Sequence, residues 1–448
     1  MSEQLANYWS TARYEDLPPE IVELCKRSLL DTLVVGYRGG LCPEPRMVAD
    51  AGGRFMKDTS GPSTVWGTSQ QTVPALAARI NGTASHALEL DDFGGCGHSG
   101  ACVVPAVAAL ADATNADGRT VIRAVAAGYD VAARVLEGAG GYRPHNERGW
   151  HSTGTCGTFG AAAAAAVMLE LDAERTTWAL GIAGSYASGT WAFLSDGAAT
   201  KRFHPGMSAS HGVEAACLAD SGMSGPRDIL EDGNGGFFKL FSGPEATPQA
   251  TVQRLGSDFR IAGTGVKIYA ACRGVHSPVE ALMELLRDRE VRTEDIARIV
   301  VHGAARTVRQ FSNRRIANML DAQFSLPYSM AVAALYREAT LAQFNPPQHG
   351  DDVRALMDRV EVRGDTDMGP YDEPEVEVVL ASGESIRRHV PIARGSYLRP
   401  VTPQELQRKH DTVAGRAMGD RLDRLRDAIG RLDTLESFEE ISRLLRAE

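Results

Sequence analysis

The sequence predicts a mainly α-helical protein with a smaller α+β domain. A large, discontinuous all-helical domain is expected over 1–265 and 396–448, and a lid domain with an antiparallel sheet over 266–395. Three observations lead there. The first part of the chain is rich in Ala and Gly and repeats apolar residues at helical spacing. β-Branched runs enter only after Ala297, and beyond residue 400 charged helical spacing returns. A length of 448 residues also suits two or three folding units, at roughly 100 to 200 residues each.

Taken in order, Pro18-Pro19-Glu20 opens a helix at the position where proline is tolerated, and Ile21, Leu24, Cys25, Leu29 and Leu30 follow on one face. Helices are expected over Pro74 to Leu90, Val103 to Asn115, Arg119 to Glu137, Thr158 to Leu171 and Ser208 to Asp220. Their small residues allow close helix packing. Ile299, Val300 and Val301 begin the strands, and Val360 to Val362 begin another. Between Glu375 and Val390, two apolar runs flank the hairpin turn Ser382-Gly383-Glu384. Gln404 to Met418, Asp420 to Leu432 and Ser437 to Leu445 are expected as helices that rejoin the first domain.

The 57 acidic residues against 47 basic ones give a formal charge of -10, which argues against a nucleic-acid or membrane-surface binder. An anionic ligand must then be held by a local cationic pocket. No basic leader with an apolar core and no membrane-length apolar run is present, so a cytoplasmic protein is the expectation. The seven Cys, at 25, 42, 96, 102, 156, 217 and 272, form no Cys-x-x-Cys pair, so reduced thiols and no zinc knuckle are expected. Phosphate-binding glycine fingerprints, a serine-hydrolase elbow and helical zinc-binding His pairs are also missing from the sequence. Nucleotide dependence is therefore not expected, and no cofactor or metal is assigned.

Five segments contain the residues suited to chemistry. In NGTASHALELDDFGGCGHSG a helix end with Glu89, Asp91 and Asp92 leads through a Gly-rich turn to His98. This is either a gathering of carboxylates and an imidazole or a solvated acidic helix end. In RGWHSTGTCGTFG, His151 precedes a helix start whose free N–H groups suit an anion. The alternative is that Ser152, Thr153 and Thr155 cap the helix while His151 packs on Trp150. KRFHPGMSASHG places Lys201, Arg202 and His204 before a helix, and KIYAACRGVHS supplies Lys267, Cys272, Arg273 and His276. Such cationic clusters suit polycarboxylates and a developing enolate, though surface charge is the simpler reading of any single one. QFSLPYSMAVA offers Tyr328, either packing or a proton donor.

In this order the segments resemble the MmgE/PrpD family, which includes 2-methylcitrate dehydratase, cis-aconitate decarboxylase and iminodisuccinate epimerase. The resemblance runs through His86, Glu89, Asp91 and Asp92, through His98-Ser99-Gly100, and through His151 to Thr155. It continues through Lys201-Arg202, Lys267 with Cys272 and His276, and Gln323 to Tyr328. It implies a helical domain, an α+β lid, an active site in the cleft between them, and a homodimer. His98, His151, Lys201, Lys267, His276 and Tyr328 become the catalytic candidates. Glu89, Asp92, Phe93, Arg202, Cys272 and Arg273 become the substrate-binding candidates. Phe93 stands where familiar members have Thr, and Ser99 where they have Pro, which bears on the choice of substrate.

The expected activity is that of a cofactor-independent lyase. It abstracts a proton α to a carboxylate and dehydrates a small hydroxy polycarboxylic acid, with His151 as the proton-transfer residue, His98 assisting, and Lys201 and Lys267 as carboxylate clamps. The same pocket logic serves decarboxylation of a cis-aconitate-like acid or epimerisation of an iminodisuccinate-like one. A catalytically inactive polycarboxylate binder is the alternative outside enzymology.

Overall fold

The computed structural model describes residues 1–54, 58–346, 350–365, 367–369 and 371–447. They pack into two units. The first is formed by 1–87, 91–264 and 410–448, the second by 88–90 and 265–409.

The first unit is helical. Its helices are α1 (Ser2–Thr11), α2 (Pro19–Gly39), α3 (Pro43–Gly53), α4 (Pro74–His86), α5 (Ser99–Thr114), α6 (Gly118–Gly138), α7 (Tyr142–Glu147), α8 (Ser152–Met168), α9 (Ala173–Tyr186), α10 (Thr200–Asp220) and α11 (Phe237–Phe241). Arg421–Gly430 and Glu439–Leu445 return to it from the C-terminal tail. Its only strand pairing within the described residues is a short antiparallel hairpin, β1 (Ser63–Thr64) with β2 (Gln71–Thr72); β3 (Asp92–Phe93) is a two-residue extension.

Every residue of α8 is buried, and α8 packs on α5, α6, α9 and α10. Such a central position requires small side chains. A Cβ on Gly160 would lie 2.5 Å from the Gly128 carbonyl of α6, and one on Gly212 of α10 would lie 2.4 Å from the Ala161 Cβ. Glycine at these crossings lets the helix backbones touch, so larger residues there would force the helices apart at a cost of about 1–3 kcal/mol.

Three helices begin earlier than their apolar spacing indicates: α5 at Ser99, α8 at Ser152 and α10 at Thr200. Their first turns are built from Ser, Thr, Gly, Lys and His, which show no apolar period, and burial rather than amphipathicity selects the helix. Lys201, Arg202 and His204 therefore lie inside α10, not before it.

The second unit contains β4 (Gly265–Val266), α12 (His276–Asp288), β5 (Ile296–Ala304), α13 (Ala305–Phe311), α14 (Met319–Gln323), α15 (Leu326–Tyr336), α16 (Asp351–Met357), β6 (Val360–Asp365), β7 (Glu375–Leu380) and β8 (Ser385–His389). The sheet order is β6-β5-β7-β8. The expected hairpin is present, with Val378 opposite Ile386 across β7 and β8 and Gly383 at φ +89° in its turn. The sheet is mixed, however, not wholly antiparallel: β5 pairs antiparallel with β7 but parallel with β6, Ile299 facing Val360. The reason is the connection. Residues 305–359 contain α13 to α16, the kind of long crossover that a parallel pair needs.

Two stretches expected with the helical part pack instead in the second unit. Leu88–Leu90 is held there by Gln323, whose side-chain amide donates to the Leu88 carbonyl at 2.8 Å, and by Lys409, whose Nζ donates to the Leu90 carbonyl at 2.8 Å. Residues 396–409 follow because the Arg394 guanidinium grips Glu405, which also accepts from the Thr402 N–H at 2.7 Å. The single tail helix expected over Gln404 to Met418 is divided: Pro403–His410, a π-turn at Asp411–Gly415, then Arg416–Met418. Among the described residues no helix is long and apolar enough to cross a membrane.

Candidate active site

Four helix ends of the first unit supply one buried polar cluster: the last residue of α4 and the first turns of α5, α8 and α10. His86 closes α4, at the end where a helix dipole favours an imidazole. His98 and His151 are the residues that precede the first turns of α5 and α8, and Lys201 lies in the first turn of α10.

The carboxylate of Asp91 lies 3.0 Å from His86 Nδ1 and 3.0 Å from His98 Nδ1. On the far side of the His86 ring, Lys201 Nζ lies 2.7 Å from Nε2. An ammonium has only donors, so His86 Nε2 accepts, and the ring proton sits on Nδ1 and is donated to Asp91. His98 Nδ1 faces the Asp91 carboxylate and, at 3.0 Å, the Asp92 carbonyl. Both neighbours are acceptors, so this nitrogen holds a proton as well. Nε2 of His98 is thereby left as the end of the chain, without a hydrogen-bond partner among the described residues. Lys201, His86 and Asp91 are 1%, 0% and 0% exposed, so these links operate away from water.

A ring nitrogen of His86, an Asp91 oxygen and a ring nitrogen of His98 also lie within 4.8 Å of one another, a possible three-donor cation site. The hydrogen bonds already satisfy all three donors, and a metal would have to displace the protons on both Nδ1 atoms. The donor set fits a proton network better than a cation.

His151 is buried against the edges and faces of Trp191 and Phe193, with ring centroids 5.1 and 5.7 Å away, rather than against Trp150, which packs on Phe241. Its Nδ1 lies 2.9 Å from Nδ1 of His204. Burial, followed by the charge of Lys201, holds His151 well below the ordinary imidazole range, and the same two causes lower His204 to about 4. Both rings are neutral at pH 7. Beside them Ser152 Oγ and Thr153 Oγ1 are buried with no hydrogen-bond partner among the described residues, two polar atoms ready for a ligand. They adjoin the glycine turn before His98: a Cβ on Gly97, at φ +121°, would lie 2.8 Å from Thr153 Oγ1.

The acidic stretch is no solvated helix end, since Glu89, Asp91 and Asp92 are all buried. Asp92 anchors α5: its carboxylate accepts from the Gly100 N–H at 3.0 Å, and burial, with Asp91 nearby, raises it to about 7. Phe93 is half-buried in β3, and Arg202 turns to a carboxylate of α3, Glu44.

The remaining candidates lie in the second unit. Lys267 and Glu89 form an ion pair at 3.0 Å with neither side chain exposed. Arg273 pairs with Glu373 at 2.7 Å. The Cys272 N–H donates to the Gln323 carbonyl at 3.0 Å. His276 Nε2 donates to the Ala271 carbonyl at 3.1 Å, its Nδ1 is buried with no partner among the described residues, and burial, with Arg273 next, holds the ring neutral. The Tyr328 hydroxyl donates to the Gln343 carbonyl at 2.8 Å, and burial pushes its pKa up.

Of the sequence candidates, His98, His151 and Lys201 lie together in these buried contacts; His86, Asp91 and His204, which share them, are not among the pocket candidates expected from the sequence. The signals were local. His86 and Asp91 flank a helix end, and Lys201 and His204 are three apart, which puts them on one helix face.

A buried chain of imidazole, carboxylate and ammonium runs between converging helix ends, an arrangement suited to moving protons. The MmgE/PrpD N-terminal domain model matches residues 3–249 and the MmgE/PrpD C-terminal domain model matches 269–434. The chain belongs to the MmgE/PrpD family and is a lyase. It is 26% identical over 475 residues to the cis-aconitate decarboxylase-like protein oryM of Aspergillus oryzae, covering 99% of this chain and 97% of the relative. To the cis-aconitate decarboxylase of Aspergillus terreus it is 26% identical, covering 99% and 96%, and to that of Homo sapiens 27%, covering 96% and 91%.

Proposed function

We propose that this protein is a carboxy-lyase that removes carbon dioxide from an unsaturated tricarboxylic acid of the cis-aconitate kind. The observation that supports this best is the pair of imidazoles, His98 and His151, with ring centroids 6.3 Å apart, beside the buried Lys201 and the Ser152 and Thr153 hydroxyls, which have no partner among the described residues. In such a substrate the bond to the allylic carboxylate breaks and its electron pair forms a new C=C bond. The old double bond takes up one proton at the carbon next to a retained carboxylate. Charge on that carboxylate grows during the step, so a fixed ammonium, here Lys201, lowers the barrier, and His151 Nε2 delivers the proton. The neutral His151 ring and the buried hydroxyls leave room for a substrate's negative charge. A homodimer is part of the same reading, as the family resemblance implies.

Dehydration of a hydroxy acid such as 2-methylcitrate is the second reading. It is favoured by His98, whose Nε2 is bare whenever Nδ1 alone is protonated and so suits abstraction of an α-proton. Proton NMR in deuterium oxide with cis-aconitate, 2-methylcitrate and iminodisuccinate separates the outcomes. Methylidenesuccinate with one deuterium at its methylene supports the proposal. Conversion of 2-methylcitrate alone supports dehydration, deuterium exchange without a new alkene supports epimerisation, and binding without any turnover supports an inactive binder.

A further inference from the structure

The contact between His151 and His204 joins like atoms, Nδ1 to Nδ1, at 2.9 Å. Between two neutral imidazoles in that geometry there is room for one proton. Two Nδ1 protons would collide and two lone pairs would repel, so the tautomers are locked in opposition. If His204 holds the shared proton, His151 must have its own on Nε2; if His151 holds it, its Nε2 is bare.

The surroundings keep the rings in this register. Phe193 packs on both, with centroids 5.7 Å from His151 and 6.0 Å from His204. The backbone at Gly189 closes the remaining side: its carbonyl accepts from the His151 N–H at 3.1 Å, and a Cβ there would lie 3.4 Å from His204 Nδ1. With φ at +117°, that position suits glycine alone. The pair is 2% and 6% exposed, so water does not replace either partner.

We propose that His204 is a positioning residue that fixes the tautomer of His151 by donating its Nδ1 proton, so that His151 turns a protonated Nε2 toward the substrate. This rests on the decarboxylase reading, in which His151 gives a proton to carbon. It also explains how a neutral imidazole serves as the donor. As Nε2 releases its proton, Nδ1 of His151 takes the shared proton from His204, and His204 Nε2 takes one from solvent. Both rings end neutral, one proton has passed from water to carbon, and a further exchange with solvent restores the starting tautomers.

The test compares His204→Phe, which keeps a ring but removes the partner, with His204→Asn, whose amide can donate at the place of Nδ1. Turnover of cis-aconitate and 15N NMR of the histidine side chains are measured on both and on the parent. The expected result is one neutral Nε2–H tautomer at His151 in the parent and in His204→Asn. In His204→Phe, mixed tautomers are expected, with kcat at least tenfold lower and KM within threefold. An unchanged His151 tautomer and unchanged kcat in His204→Phe would overturn the proposal, as would an Nδ1–H tautomer in the parent. The 15N spectrum needs no substrate. A parent with the expected tautomers but no activity on cis-aconitate would count against the decarboxylase reading and leave the tautomer lock standing.

Discussion

The two units treat buried charge differently. In the second, Lys267 closes on Glu89, Arg273 on Glu373, and the Tyr328 hydroxyl on a carbonyl. In the first, Lys201, His86 and Asp91 form a chain that runs on to His98, and His151 forms its own with His204. Each chain ends on an imidazole nitrogen with no partner among the described residues. A closed pair holds a fold together, whereas an open chain can pass a proton. On the reading proposed above, the acid–base chemistry falls to the helical unit; in the second unit His276 Nδ1 is also buried with no partner among the described residues, while Lys267 is held in its ion pair with Glu89.

Substitutions in the two groups should therefore fail in different ways. His151→Gln should lower kcat by roughly 10²–10⁴, the usual worth of a positioned proton-transfer group, with the thermal midpoint almost unchanged. Lys267→Met should do the reverse, because the Glu89 carboxylate would stay buried without that ammonium: a stability loss of about 3–5 kcal/mol is expected in urea titrations. If Lys267→Met instead kept full stability and lost only turnover, the division between the units would fail. Asp91→Asn should cost on the order of 10–100-fold in kcat, since it removes the negative charge between His86 and His98 and puts an NH2 donor where one carboxylate oxygen accepts from His86.

A pH experiment sharpens the same contrast. His204 is lowered to about 4 in the folded protein, against an ordinary imidazole value of about 6.5, and His151 is lowered too. The unfolded chain therefore binds more protons below about pH 6.5, and the stability these rings permit falls as pH drops from there toward 4. Asp92 has the opposite sign: raised to about 7, it favours the folded state most below about pH 4, and this contribution is lost as pH rises to 7. Urea midpoints between pH 7 and 5 should fall more steeply in Asp92→Asn than in the parent. The smallest effect expected is that of Tyr328→Phe, about 1 kcal/mol in stability for one hydrogen bond to Gln343.

Much of the fold was legible in the sequence, because apolar spacing marks the amphipathic helices and β-branched runs mark β5 and β6. What escaped was set by burial from all sides. The first turns of α5, α8 and α10 are polar or small and have no period, although these are the turns that hold His98, His151 and Lys201. The parallel pairing of β5 with β6 was hidden because strand direction depends on a 305–359 crossover that local pattern does not reveal. Within the site, residue type pointed to imidazoles and cations. The partners that give them direction, Asp91 for His98 and His204 for His151, emerged only from distances. Glu89 and Asp91 are two residues apart in one acidic run, yet one pairs with Lys267 in the second unit and the other joins the histidines of the first.

The most direct test of the account is deuterium incorporation from deuterium oxide during turnover of cis-aconitate by the parent protein and by His151→Gln, each checked for an unchanged thermal midpoint. One deuterium at the product methylene is expected from the parent, and a rate at least a hundredfold lower from the variant. A folded His151→Gln protein that incorporates deuterium at the parent rate would contradict it.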